Sequence, residues 1–246
     1  MKTYRADLHI HTVLSPCGGL EMSPKKIIQE AITKQLDIIG ITDHNSTKHC
    51  QLVSKLAEQY GLTVFTGVEI TTKEEIHCLA FFDNDYSLER FQRVIEERLP
   101  YFPNDPERFG YQPVIDENEQ ILEMEPTLLI MAIEAGIEEV EAIVHSLGGL
   151  FIPAHVDRPF HSLIGQLGFI PKGLNADAFE IMRNTNEADF RKLQPTIGAI
   201  PLIKCSDAHY LSSIGQAFTE LVMQAPTFDE FRLALKGVNG RKTIIR

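Results

Sequence analysis

Short apolar runs of strand length alternate along this chain with stretches of helical period, and most of the runs meet a histidine or a carboxylate at one end. The runs occupy residues 4–11, 37–42, 63–70, 76–82, 150–155, 178–182, 201–206 and 217–222. This alternation predicts an α/β chain of βα units around a mostly parallel sheet. His9 and His11 end the first run, Asp43 and His44 follow the second, and Glu69 closes the third. His77 opens the next run after a short turn, so it should neighbour Glu69. His155 and the pair Asp207 and His209 follow later runs. Residues two apart on a strand share a face, so His9 with His11, and Asp207 with His209, can each aim two side chains to one side. So many such groups at strand ends call for a cation to hold, which points to a metalloenzyme.

The helices declare themselves at their ends. Ser23 is an N-cap before Pro24 at the first helical position, ahead of Ile27, Ile28, Ala31 and Ile32. Ser46 or Thr47 caps a helix carrying Leu52, Val53, Leu56 and Tyr60, which stops at Gly61. Ile137, Val140, Val144 and Leu147 share a face that ends at Gly148 and Gly149. Thr227 and Glu230 have the spacing of a capping box. His49 and His145 fall on predicted helices, where an exposed face accounts for them. Residues 100–127 break the rhythm with prolines, acids and the aromatics Tyr101, Phe102, Phe109 and Tyr111. So long a connection is expected to be an ordered, lid-like insert in a single domain spanning 1–246.

Composition excludes several classes. The apolar fraction of 43% suffices for a packed core, and no run approaches the ~20 residues of a membrane span. The N-terminus leads straight into strand-like sequence, which predicts a cytoplasmic protein. The four cysteines, Cys17, Cys50, Cys78 and Cys205, form no CxxC pair and are too few for a disulfide scaffold. A net charge of −11 argues against a broad phosphate-tracking groove and so against an extended duplex partner. A small phosphorylated substrate stays open, because bound metal would reverse the local field.

The ordered set DLHIHT (7–12), ITDHN (41–45), GVEI (67–70) with HCLAFF (77–82), PAHVDRP (153–159) and SDAH (206–209) resembles the PHP (polymerase and histidinol phosphatase) superfamily. The resemblance implies a distorted (βα)7 TIM-like barrel with its site at the C-terminal ends of the strands. It also implies two or three divalent ions (zinc, manganese or iron) and hydrolysis of phosphate esters. Carried over, it places His9, His11, Glu69 and Asp207 around one metal, with Glu69 bridging to a second held by His77 and His155. His44 and His209 correspond to ligands of a third. Pro16 stands where many members carry Asp, so either Cys17 ligates as a thiolate, favouring zinc or iron over magnesium, or the third site is weak or empty.

Two metals about 3.5–4 Å apart can share a hydroxide and clamp both oxygens of an in-line displacement. Asp7 and Asp43 are read as acceptors that fix imidazole tautomers. Arg158 and Arg183 sit where guanidinium groups can grip phosphate oxygens, and His161 can protonate the leaving group or contact phosphate. Asp207 and His209 join Arg158 and His161 as the catalytic candidates. The expected substrate is a small phosphomonoester, a nucleotide or a short oligonucleotide. A noncatalytic metal-binding PHP module with a regulatory role is the alternative. Hydrolysis of a C–N bond by the same metal-bound hydroxide is a third, disfavoured by the arginines.

Overall fold

The computed structural model describes residues 1–245. Its eleven strands are β1 (Lys2–Ile10), β2 (Ile38–Ile41), β3 (Thr63–Thr71), β4 (His77–Phe82), β5 (Pro113–Ile115), β6 (Ile121–Met124), β7 (Leu150–Pro153), β8 (Phe179–Glu180), β9 (Leu202–Ile203), β10 (Thr219–Met223) and β11 (Lys242–Ile244). The α-helices are α1 (Pro24–Thr33), α2 (Cys50–Glu58), α3 (Asp85–Arg98), α4 (Pro106–Phe109), α5 (Ile137–Ser146), α6 (Leu163–Leu167), α7 (Glu187–Leu193) and α8 (Phe228–Leu235).

Seven strands form one sheet in the order β11-β10-β1-β2-β3-β4-β7. Only β1–β2 and β2–β3 are parallel neighbours; β4 runs antiparallel to both β3 and β7, and β10 antiparallel to β1 and β11. The distorted, TIM-like barrel that the resemblance implies thus takes the form of a mixed seven-stranded sheet that curls without closing its ladder. The two-residue parallel pair β8–β9 fills the gap. On one side Asp177 N–H donates to Phe151 O and Val156 N–H to Glu180 O. On the other, His11 N–H donates to Ala208 O and Ala208 N–H to His9 O. The antiparallel β4 still serves the site, because its first residue lies on the rim where β3 and β7 end.

Two apolar layers hold this sheet. Ala6, Leu8, Phe65, Leu79, Phe81, Leu150, Ile152, Ile203 and Leu221 fill its concave side. From α8, Phe231 stacks on Phe65 with ring centroids 5.1 Å apart and meets Phe81 edge-on, plugging the end away from the site. Ile10, Ile39, Ile41, Val68, Ile70 and Phe82 join the helices on the outer side.

Leu8 is thus interior while Ile10 is exterior, a break in strand parity. The β1–β2 pairing shifts register between Asp7 and Ile10, and such an irregularity re-aims side chains. Gly40 lies opposite the shift, where a Cβ would come 2.4 Å from Leu8 O.

Helix ends follow the sequence in part. Thr227 Oγ1 accepts from Glu230 N–H at α8 as expected. Ser23 precedes α1 without a side-chain cap bond. The α2 helix starts at Cys50 with His49 as its N-cap, while Thr47 donates through both N–H and Oγ1 to Gln92 Oε1. The α3 helix was not foreseen, although Asn84 accepts from Ser87 N–H and buries Leu88, Phe91 and Ile95 behind it.

Residues 100–127 fold into α4 and a β5–β6 hairpin. Buried Gln112 anchors them, donating to Glu125 O and Thr127 O and accepting from Leu129 N–H. Lys48 pairs with Glu123 and Glu125, and Lys55 with Glu117, so the hairpin seats against the α2 region. No helix among the described residues is long and apolar enough to cross a membrane.

Candidate metal centre

His9 and His11 arrive on the end of β1, Glu69 on β3 and His77 at the start of β4. His44, His155, Asp207 and His209 come from the loops after β2, β7 and β9. Backbone φ is positive at His155 (29°) and Asp207 (50°), a conformation non-glycine residues adopt at a cost, typically at functional sites.

Glu69 is the hub, 1% exposed. Its Oε1 lies 3.0 Å from His77 Nδ1 and 3.2 Å from both His9 Nε2 and His155 Nε2. Its Oε2 lies 3.1 Å from His44 Nδ1 and 3.3 Å from His11 Nε2. Asp207 Oδ1 completes the ring at 3.4 Å from His9 Nε2 and 3.5 Å from His11 Nε2. Donor atoms converge in three groups: His9, His11 and Glu69; His44, Glu69 and His77; and His11, His44 and His209. All eight expected ligands other than Cys17 therefore meet in one place. His44 joins two of the groups, which ties it to Glu69 and His77 as well as to His209.

The hydrogen bonds on the far side of each ring decide what the centre holds. His9 Nδ1 lies 3.0 Å from Glu180 Oε2, and a carboxylate can only accept, so His9 turns Nε2 inward. His11 Nδ1 lies 2.9 Å from Ser15 Oγ, whose proton goes to Asp43 Oδ1 at 2.7 Å. His209 Nδ1 lies 3.0 Å from the Asp207 carbonyl oxygen. Each Nδ1 therefore carries a proton, and in neutral imidazole each Nε2 presents a lone pair. His9 Nε2 and His11 Nε2 face each other at 3.2 Å. Buried His44 Nδ1, His77 Nδ1, Glu69 Oε2 and Asp207 Oδ1 have no hydrogen-bond partner among the described residues. Lone pairs gathered this closely, with polar atoms left unpaired, fit a divalent cation.

Electrostatics agree. Burial alone would depress His9, but Glu180, Glu69 and Asp207 hold it well above the usual histidine range. Burial likewise opposes protonation of His11, yet the carboxylates of Asp207 and Glu69 beside it carry it up to about 9. Burial would raise Glu69, but His77, His9 and His44 hold it well below the carboxylate range. Burial, with neighbouring imidazoles, pushes His44 well down and takes His209 down to about 4. The centre thus demands positive charge, from protons or from metal.

Several expectations change here. Cys17 is exposed and belongs to none of the three groups. Asp7 touches no imidazole; it accepts from Ser206 N–H and Gly215 N–H, and burial raises it to about 6. The register shift in β1 explains this, since it removes Asp7 from the face of His9 and His11. Glu180, unassigned in the sequence, orients His9 instead; its signal was a carboxylate inside an apolar run. Neither helical histidine is exposed. His49, 1% exposed, bridges Thr12 Oγ1 at 2.7 Å and Ile115 N–H at 3.0 Å, and His145 lies between Glu141 and Asp177.

Arg158 donates to Asp207 Oδ2 at 3.3 Å. With Arg183, Glu180, Met182, Ser206 and Asp207 it lines a cleft of about 160 Å³ beside the centre. Arg183 also donates to Gln216 Oε1. His161 stacks on His77 with centroids 4.9 Å apart.

Residues 7–166 match the PHP domain family. The chain belongs to that family. Its relatives include the uncharacterized protein YqxK of Bacillus subtilis, 26% identical over 99% of this chain and 65% of that one. The lesion-specific endonuclease EndoQ of Pyrococcus furiosus shares the fold, with a TM-score of 0.75 and 21% identity over 98% of this chain and 58% of that one. An Endonuclease Q complex with a 27-mer duplex substrate bearing an abasic lesion at the active site gives 0.74 and 21%, with the same coverage. This PHP chain thus spans less than two thirds of the length of each of these three proteins. The expectation of a small phosphorylated partner and no extended duplex is corrected, because a protein of this fold holds a duplex at its active site. Net charge misled because it averages the whole surface, whereas the centre's rim carries Arg158 and Arg183.

Proposed function

We propose that this PHP chain is a metal-dependent hydrolase of phosphodiester bonds in DNA, acting at lesions. The observation that carries the reading is the ring of inward-facing imidazole nitrogens and carboxylate oxygens around Glu69, beside the arginine-lined cleft. The shared fold with an endonuclease holding an abasic duplex supports DNA as the polymer.

His9, His11, Glu69, Asp207, His77, His155, His44 and His209 would hold two or three divalent ions. When bound, these supply a hydroxide near neutral pH and positive charge at the phosphorus oxygens. Arg158 releases Asp207 Oδ2 to grip a non-bridging oxygen, and Arg183 takes the flanking phosphate. The attacking water gives one proton to solvent as its oxygen bonds to phosphorus and the P–O ester bond breaks, and His161 protonates the departing alkoxide to a free hydroxyl. Glu180 and Ser15 keep His9 and His11 from turning.

The test is strand cleavage of a labelled duplex carrying one abasic site, with manganese-loaded protein. Cleavage at the lesion is expected, and Arg158→Ala should reduce kcat/KM by roughly 100-fold, about 2.7 kcal/mol. Full metal occupancy with no cleavage of lesion or intact duplex would favour the noncatalytic module instead.

A further inference from the structure

We propose that His49 is a positioning residue through which the 100–127 insert sets the geometry of the metal centre. The proposal rests on reading His11 as a metal ligand, and it stands on the direction of each hydrogen bond. Ile115, on β5 of the insert, donates its N–H to His49 Nε2 across 3.0 Å. That nitrogen therefore carries no proton, so the proton of the neutral ring sits on Nδ1. His49 Nδ1–H donates to Thr12 Oγ1 at 2.7 Å, leaving the Thr12 hydroxyl proton for Asp43 Oδ2 at 2.7 Å.

A second series reaches the same carboxylate from the centre. His11 Nδ1–H donates to Ser15 Oγ, and Ser15 Oγ–H donates to Asp43 Oδ1. Thr12 N–H also donates to that oxygen at 2.7 Å. Asp43 is therefore held between the insert and the ligand.

Were the proton on Nε2 instead, His49 Nδ1 would become an acceptor and draw the Thr12 proton away. Asp43 Oδ2 would lose its donor, and the carboxylate that anchors Ser15 and His11 would be held through Oδ1 alone. The N–H of Ile115 decides between these states. Thr12, Ser15, Asp43 and His49 are each at most 1% exposed, so solvent does not compete for these bonds. Burial also holds His49 below the usual histidine range, which keeps the ring neutral. A second contact ties the insert to the same loop: a Cβ at Gly110 would fall 1.9 Å from Pro16 O.

The experiment pairs imidazole-nitrogen NMR of the full chain with binding of Mn²⁺ alone, measured by competition with a chelating dye. Wild-type His49 should show the Nδ1–H tautomer. His49→Phe and Ile115→Pro should each weaken Mn²⁺ binding roughly tenfold, toward the low end of what supporting residues contribute. The double variant should bind no worse than either single one, because both cut the same series. A wild-type Nε2–H tautomer overturns the proposal, and this measurement decides even if a variant fails to fold. Folded variants that bind Mn²⁺ within about twofold of wild type also overturn it, leaving the metal centre intact. A wild type that binds no Mn²⁺ overturns the metal-centre reading and this proposal together.

Discussion

Without a bound ion, His11 keeps its proton to about 9 against an ordinary 6.5, although burial opposes the charge. The shift is upward, so the metal-free fold gains stability that is fully present below about 6.5 and disappears as pH rises through about 9. The gain is on the order of 3 kcal/mol for a buried group moved this far. Denaturant titration of chelator-treated protein should therefore show stability falling between pH 6.5 and 9, and His11→Ala should flatten that slope. An unchanged midpoint across the interval would contradict the assignment. Metal competes with this proton, so loading should release protons over the same range. Glu180 belongs to this scale as well. Glu180→Gln preserves a hydrogen bond to His9 but removes a buried charge, and metal affinity should drop 10- to 100-fold in direct titration.

Among the elements, β1 carries the most consequence. Its register shift lets Leu8 face the core and His9 the centre, and it depends on close approach to β2 at Gly40. A methyl group there meets backbone rather than a flexible side chain. Gly40→Ala should cost ~3 kcal/mol or more and lower metal affinity, read by denaturation and by metal titration on the same sample. Loss of stability with intact affinity would separate the shift from the site. The hairpin β3–β4 was legible beforehand, because a short turn between Glu69 and His77 leaves little choice but adjacency. The α3 helix was missed because its apolar residues, Leu88, Phe91 and Ile95, are diluted by charged neighbours. The exposed face expected for His49 failed for a tertiary reason, since the insert covers that helix end.

For the whole molecule, the sheet and its loops bring together groups separated by about two hundred positions, and a cation binding only the folded state must stabilise it. At a free concentration 100 times Kd the gain is about 2.7 kcal/mol, which corresponds to roughly 5–10 °C in a chain of this size. Thermal melts of chelated protein with and without added manganese should show that rise, and coincident melts would argue against an ion shared across the fold. From the sequence alone came the α/β class, the eight candidate ligands that converge and the family to which the motifs belong, because strand-end chemistry and ordered spacing are local properties. Tertiary structure decided the mixed strand directions, the closure by β8–β9, the pairing of Glu180 rather than Asp7 with an imidazole, and the burial of His49. Each depends on which backbone lies beside which, and a single register shift moves a side chain across a sheet without changing any residue around it.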